Sequence, residues 1–277
     1  MRKRWKIFWI VCAVLAGIGL VCLIAAKAMG VTKTMFAENL PNGISFGENV
    51  YIDADDEWND DISTSGESYA GIRVMNVKVS AGQIEFRTSE ELDNEIRVET
   101  YDVDKKLKLN WHADGHELVI TGKGKLIHSK HANEIYVYIP KDYSFDEFSM
   151  DIGAGLIYME NVTARDFSLD VGAGEAEIMN FTADETDFAV GMGTITATGM
   201  VKHEADFECG AGEINYTAYG KETDYNYEVE CGIGEVNCGE SSYSGLAHSR
   251  EINNHSSKSM YISCGIGSIT INFEDRL

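Results

Sequence analysis

The chain has 277 residues, of which 27 are glycine and 2 are proline, and its formal net charge is −22. Residues 1–34 carry basic side chains and no acidic ones, so the remainder is even more acidic than the total suggests. This balance argues against a nucleic-acid partner, which would need a basic surface. The length allows one or two domains with a substantial core.

An uncharged apolar segment lies close to the N-terminus, at residues 7–26. A run of about 20 apolar residues can cross a bilayer as a helix. The basic residues of the 1–6 tail predict a cytoplasmic N-terminus and an extracytoplasmic remainder. A cleaved signal peptide is the alternative, but Ala26-Lys27-Ala28 is a poor cleavage site and the apolar run exceeds the usual signal core. We therefore predict a single-pass anchor in the cell membrane, formed by one transmembrane helix.

Polar and acidic residues dominate 27–69, which we interpret as a juxtamembrane linker with room for a first strand near 44–52. Residues 70–147 alternate short strand-like runs with turn signals, and they predict irregular β coils. Within them, residues 77–86 resemble a degenerate copy of the repeat that follows. Ser80-Ala81-Gly82 stands there in the place of the repeat's two glycines.

The phrase Gly-x-Gly recurs throughout residues 148–277. Its copies begin at Gly153, Gly172, Gly191, Gly210, Gly232 and Gly265, and the first four lie 19 residues apart. Apolar residues recur one and three positions before each pair, and two and four positions after it, as in strands with one buried face. Each copy thus predicts strand, glycine corner, strand, with successive copies stacked. The predicted fold is all-β, a single-stranded β-solenoid of about 19-residue coils whose crossovers are right-handed.

Four cysteines fall in the apolar columns of this repeat. Cys209, Cys231 and Cys264 share the column directly before the glycines, and Cys238 lies in another. We interpret them as small buried hydrophobic residues. Stacked strands about 4.8 Å apart would also allow a disulfide in an oxidising compartment, so the thiol state stays open. Their spacing matches no zinc pattern.

A polar insertion at 239–259 separates the last two copies, and it is either a surface loop or a cap over the solenoid's end. Residues 269–273 are predicted to close the chain as its last strand. Glu274-Asp275-Arg276 then forms a charged stop that would discourage further pairing at that edge.

Acidic residues flank the glycine corners. Asp151, Asp170, Glu208 and Glu230 precede the glycines, and Glu175, Glu213 and Glu235 follow them. Stacking would align them in two outward ladders with one strand spacing between neighbours. We interpret the ladders as a solvated edge, with weak calcium binding outside the cell as the alternative.

No motif of the chain indicates catalysis. His112 and His116, and the pair in His128-Ser-Lys-His131, lie in turns and lack the context of a helical zinc site. The glycine pairs lack the third glycine and the helix of a dinucleotide fingerprint, and there is no nucleophile elbow. We predict no catalytic residue, no metal ligand, no cofactor and no enzymatic activity.

Three features coincide along the chain: the N-terminal anchor, the phrase Tyr136-Val-Tyr-Ile-Pro-Lys-Asp-Tyr-Ser-Phe, and the Gly-x-Gly strand repeats after it. Together they resemble the "putative adhesin" family of bacterial β-strand-repeat domains, the LiaG-like group of membrane-anchored envelope proteins, over residues 44–273. The resemblance implies a β domain at bacterial envelope-stress loci, and it supplies no catalytic residues. The insertion at 239–259 departs from the family pattern.

These observations predict a membrane-anchored extracytoplasmic protein that acts by interaction. Its partner would be an envelope protein, as for an envelope-stress accessory that contacts a membrane sensor. The alternative is a surface adhesin that binds a glycan, a cell-wall polymer or a host surface. A polysaccharide-active β-helix enzyme is the third option, but residues 148–277 contain few basic side chains to complement their acids.

Overall fold

Buried and exposed residues alternate through most of residues 66–124, 131–244 and 248–275, the part of the chain that this computed structural model describes. The alternation places these residues in strands, joined by turns and two short 3-10 turns, Lys105–Leu107 and Glu222–Asp224. No helix among the described residues is long and apolar enough to cross a membrane. The anchor predicted at 7–26, the tail at 1–6 and nearly all of the linker at 27–69 lie outside these residues.

The strands form one hydrogen-bonded sheet that winds round the core. In chain order they are β1 Gly66–Ala70, β2 Val74–Ser89, β3 Glu95–Tyr101, β4 Leu109–Asp114, β5 Glu117–Gly122, β6 Glu134–Pro140, β7 Phe145–Met159, β8 Val162–Val171, β9 Glu175–Val190, β10 Thr194–Cys209, β11 Glu213–Tyr219, β12 Tyr225–Cys231, β13 Glu235–Cys238, β14 Ser241–Ser244, β15 His248–Ile252, β16 Lys258–Cys264 and β17 Ser268–Glu274. The all-β prediction is confirmed, and the parallel stacking is that of a solenoid-like fold.

Each glycine pair divides a coil into a pre-glycine strand and a post-glycine strand. Equivalent residues of neighbouring coils pair in parallel register, so Met150, Leu169, Phe188 and Phe207 form one buried column. The degenerate copy takes its predicted place, because Gly82 pairs with Gly155 and Val77 with Met150. The period of two therefore identified the inward residues correctly.

The last two coils stack out of sequence order. The coil of β16 and β17 lies between the coil of β10 and β11 and the coil of β12 and β13. One prediction is therefore wrong, because successive copies do not all stack in sequence. Residues 269–273 lie in the last strand of the chain, as predicted, but this strand pairs with β11 on one side and β13 on the other. Glu274 ends this interior strand and Asp275 follows it, so the predicted charged stop does not lie at the edge of the stack.

The polar insertion closes this end of the stack as a cap. Its strand β14 pairs antiparallel with β13, and its strand β15 pairs antiparallel with β12. The opposite end is built in a similar way: β5 and β6 form the outermost coil beside β2, and β4 and β3 pair antiparallel with them. Antiparallel strands thus cover the parallel coils at both ends, where exposed edges would otherwise invite further pairing.

The second glycine of each pair is required by close backbone contact. A Cβ atom on Gly193 would lie 2.2 Å from the carbonyl oxygen of Gly174, and one on Gly212 would lie 2.3 Å from that of Gly193. Real side chains do not tolerate such distances, so only glycine lets consecutive coils stack at strand spacing through the corner. This contact explains the Gly-x-Gly repeat more directly than backbone flexibility does.

Aromatic rings fill the middle of the core. Phe167 contacts Phe148, Phe181 and Phe188 at centroid distances of 5.6, 5.6 and 5.2 Å, mostly edge to face. Such pairs add to the free energy of burial because the ring edges meet the electron-rich faces. The row continues to Tyr216, whose buried hydroxyl donates to the Gly199 carbonyl at 3.1 Å.

Candidate functional site

The outward side of the pre-glycine strands is an acidic face. Its outward positions alternate with the buried columns, and most of them carry a carboxylate. The acidic residues are Glu147, Asp151, Asp166, Asp170, Glu185, Asp187, Glu204, Asp206, Glu208, Glu228 and Glu230. Stacking at strand spacing concentrates this negative charge on a flat surface, which would attract a cationic partner.

The crowding of this acidic face shows in the pKa of its central carboxylates. Half-buried Asp206 lies opposite Asp187, and burial together with the charges of Asp187, Glu208 and Glu204 raises its pKa to about 6. Burial and the charge of Glu208 also raise the pKa of Asp187. The pKa of Asp170 rises through burial and the charges of Asp151 and Asp187. The middle of the face therefore carries electrostatic strain at neutral pH, which a bound cation would relieve.

This crowding predicts a pH-dependent stability. Because the pKa of Asp206 in the folded chain lies above the unfolded value of 3.8, folding binds a proton between about pH 4 and pH 6. The stabilisation is fully present below pH 4 and is lost as the pH rises through about 6. Asp206→Asn should raise the urea midpoint at pH 8, and it should raise it much less at pH 4.5. An equal shift at both values would contradict this assignment, and exposed Glu147→Gln is the control.

The corner acids alternate with neutral coils instead of forming unbroken ladders. Asp151 pairs directly with Asp170, but Ala189 follows Asp170 in the column. Ser263 separates Glu208 from Glu230. The predicted spacing of one strand is therefore wrong beyond Asp170, because Ala189 separates Asp170 from Glu208 and the inserted last coil carries serine at this position. Two strand spacings weaken the repulsion between the glutamates.

Exposed apolar side chains project from the same corner. The middle residue of Gly-x-Gly is Met192 in one coil, Ile266 in another and Ile233 in a third, and these side chains are 66, 49 and 58% exposed. The sequence analysis did not predict this exposed row, because the middle residue of Gly-x-Gly belongs to none of the inward columns. The signal was available in the change of the middle residue from alanine to methionine and isoleucine. These exposed apolar side chains lie beside the acidic residues that flank the corner.

A second surface combines tyrosine and arginine on the post-glycine strands near β6. The Arg87 guanidinium lies 4.8 Å from the ring centroid of Tyr136, and that of Arg97 lies 5.0 Å from that of Tyr138. Arg87 Nε donates to Glu85 at 2.9 Å. The hydrogen bond to Glu134 and burial raise the pKa of Tyr136 to about 12. Each arginine pairs with a neighbouring glutamate, Arg87 with Glu85 and Arg97 with Glu99, so the positive charges of this face are compensated.

The clefts of the described chain are small. One of about 250 Å³ lies where the post-glycine strands end, lined by Thr88, Asn161, Asn180, Lys141 and Tyr143 among others. Asn180 donates to Asn161 at 2.8 Å, and Lys141 pairs with Glu90 at 2.8 Å. Asp142 also lines this cleft, so it contains one carboxylate beside Lys141, whose amine is held by Glu90.

The cysteines and histidines considered in the sequence analysis have ordinary structural surroundings among the described residues. Cys209, Cys231, Cys238 and Cys264 are buried free thiols, and burial raises the pKa of Cys238 and Cys264 to about 12. Such thiols hold little thiolate at neutral pH, as expected of core residues. His131 Nδ1 lies 2.6 Å from the Asp102 carboxylate. Among the described residues, no three His, Cys, Asp or Glu side chains form a group suited to a metal.

Three comparisons relate this chain to known proteins. Among solved structures, a "putative cell adhesion protein" from Clostridium sporogenes is 18% identical, covering 76% of this chain and all of its own, with a TM-score of 0.43. A "putative adhesin" from Parabacteroides distasonis is 14% identical, covering 76% of this chain and 98% of its own, with a TM-score of 0.39. No curated protein matches the sequence. The family model described as Toastrack DUF4097 matches residues 70–263, and the chain belongs to that family.

Proposed function

We propose that this chain is a single-pass membrane protein whose β-solenoid lies outside the cytoplasm and acts by binding an envelope component. The specific role we propose is that of an envelope-stress accessory, which contacts a membrane protein in the same cell. The acidic face of the pre-glycine strands carries the proposal. The apolar segment at 7–26 and the short linker at 27–69 support a position close to the bilayer.

Binding fits this acidic face better than catalysis does. Glycoside cleavage would require two carboxyl groups that flank one bond across a cleft. Here the carboxylates lie in rows along a flat surface, at strand spacing. Two basic side chains near them are paired: Arg165 Nη2 lies 3.1 Å from Asp166, and Lys202 Nζ lies 2.9 Å from Asp184. We therefore propose no enzymatic role.

A surface adhesin is the second candidate, and the tyrosine and arginine face favours it. Tyr136, Tyr138 and Tyr158 are half-buried, and Tyr101 beside them is 45% exposed. Aromatic rings can contact the apolar faces of sugar rings. The arginine and glutamate side chains beside them can form hydrogen bonds with the sugar hydroxyl groups. This candidate requires a glycan partner, whereas the first requires a cationic protein surface.

Photo-crosslinking in intact cells tests the proposal. A photoreactive phenylalanine analogue replaces one residue of the full chain: Ser168 on the acidic face, Tyr138 on the tyrosine face, or Thr196 farther along the same post-glycine strands as the tyrosines. We expect a protein adduct from position 168 that is lost when Asp170, Asp187 and Asp206 are changed to Asn. Thr196 is the matched control for non-specific collision.

Each outcome decides between the candidates. A muramidase-sensitive or periodate-sensitive adduct from position 138 alone would support the adhesin and overturn the envelope-stress role. Adducts that are equal at positions 168 and 196 would overturn the envelope-stress role, and adducts that contain only cytoplasmic proteins at all three positions would overturn both.

A further inference from the structure

The glycine corner carries an apolar ridge at one end of the stack. Its members are Met192, Ala211, Ile266 and Ile233, the middle residues of four consecutive coils. Backbone hydrogen bonds fix this order: Ala211 N donates to Gly191 O at 2.8 Å, Ile266 N to Gly210 O at 2.7 Å, and Ile233 N to Gly265 O at 2.8 Å. We call this row the corner ridge.

Acidic pairs flank the corner ridge at every second coil. In the Ala211 coil, Glu208 precedes the corner and Glu213 follows it. In the Ile233 coil, Glu230 precedes the corner and Glu235 follows it. The coil between them is neutral on both flanks, with Ser263 and Ser268. Two strand spacings separate the acidic pairs, which is about 9.6 Å.

We propose that the corner ridge binds a cationic amphipathic α-helix. The apolar stripe of such a helix covers Met192, Ile266 and Ile233, and basic residues along both borders of the stripe reach the glutamates. Residues i and i+7 of a helix lie on one side and about 10.5 Å apart, close to the spacing of the acidic pairs. In an extended strand, residues about 10 Å apart are three positions apart, so their side chains point to opposite sides. A bound strand could therefore reach only one glutamate of each acidic pair.

Charge decides against a second copy of the chain as the occupant. Two corner ridges in contact would bring Glu208, Glu213, Glu230 and Glu235 of one copy against the same residues of the other, without bases between them. A cationic helix instead neutralises both flanks. Exposed methionine and isoleucine supply adaptable apolar contact, which suits helices of varied sequence.

This inference rests on the proposed role of the acidic surface in binding, yet it can fail separately. The crosslinking experiment probes the pre-glycine face in cells. The corner ridge is tested with the purified full chain in nanodiscs of zwitterionic lipid. The probe is a fluorescent 21-residue synthetic helix with a leucine stripe and lysines at i, i+7 and i+14 along both borders, and its anisotropy is measured.

We expect saturable binding that weakens about tenfold or more in the quadruple variant Glu208→Gln, Glu213→Gln, Glu230→Gln, Glu235→Gln. Ile233→Ser with Ile266→Ser should weaken it by a similar factor. The matched control removes the same charge outside the acidic face: Glu91→Gln, Asp93→Asn, Glu95→Gln, Asp114→Asn, all exposed. That variant should keep most of the affinity. All substituted side chains are exposed or half-buried, and thermal unfolding verifies that each variant is folded.

Three results would overturn the proposal. Equal weakening in the control variant would show that only net charge attracts the peptide. Equal binding of a peptide whose leucines are replaced by serine would show that the apolar ridge contributes nothing. Sedimentation of the chain as a dimer that Ile233→Ser with Ile266→Ser dissociates would make the ridge a self-association surface.

Discussion

A chain that ends at Ser257 will lose the ordered structure of residues 225–257 as well as the deleted last coil. Strands β12 and β13 pair in parallel only with β16 and β17, and otherwise with their own caps β15 and β14. Without the last coil, this end of the stack has no neighbour at strand spacing. Because coils of a solenoid are stabilised by their neighbours, residues 225–257 should detach and be cleaved rapidly in limited proteolysis.

The control for this prediction is a chain that ends at Asp275, which keeps both strands of the last coil. It should show the protease resistance of the full chain. Coils that stacked in sequence order would give a different result, because the truncation would then remove only an end. Protection of residues 225–244 in the shortened chain would therefore contradict the structure.

Phe167→Ala should cost about 3–5 kcal/mol in the free energy of unfolding. The side chain is 1% exposed and contacts three further rings of the aromatic row, so its removal leaves a cavity that rigid coils on both sides cannot close. The measurement is chemical denaturation at constant pH, with unchanged slope as the check that the unfolded state is the same.

Leu156→Ala is the matched control for this substitution, since Leu156 lies in a neighbouring coil and is 42% exposed. It should change the free energy of unfolding by less than about 1 kcal/mol. A cost for Phe167→Ala as small as that of the control would mean that the aromatic row is not the centre of the core.

The repeat itself could be predicted because it is local. Glycine pairs and a period of two on each side identified the strands, the inward columns and the degenerate copy at 77–86. The recurrence of glycine also has a physical cause: each second glycine lies against the carbonyl oxygen of the neighbouring coil.

The order of the last coils could not be predicted, because both candidate neighbours of β11 carry the same pattern. Ile269 and Val236 are equally suited to follow Ile214 in the inward column. Position along the chain favours the nearer copy, but the caps β14 and β15 belong to the copy that ends the stack. The choice therefore depends on the polar insertion, whose strands were too short and too polar to recognise.

The candidate site was predicted in part for the same reason. The corner acids were identified from their position beside the glycines, but their spacing depends on which coil lies between them. The exposed residues Met192, Ile233 and Ile266 had no periodic signal of their own. They gain meaning only when the coils are placed in spatial order and become one row.

Pairwise crosslinking at the corner tests this spatial order most directly. In a chain whose native Cys209, Cys231 and Cys264 are changed to Ala, three double variants place cysteines at positions 208 and 263, 230 and 263, or 208 and 230, replacing Glu208, Glu230 and Ser263. Disulfides are mapped by mass spectrometry after mild oxidation. Adjacent strands place Cα atoms about 4.8 Å apart, within disulfide range, whereas two strand spacings exceed it. The structure predicts bridges from position 263 to both 208 and 230, and none between 208 and 230. A bridge between 208 and 230, with none between 208 and 263, would show that the coils follow sequence order and contradict the structure.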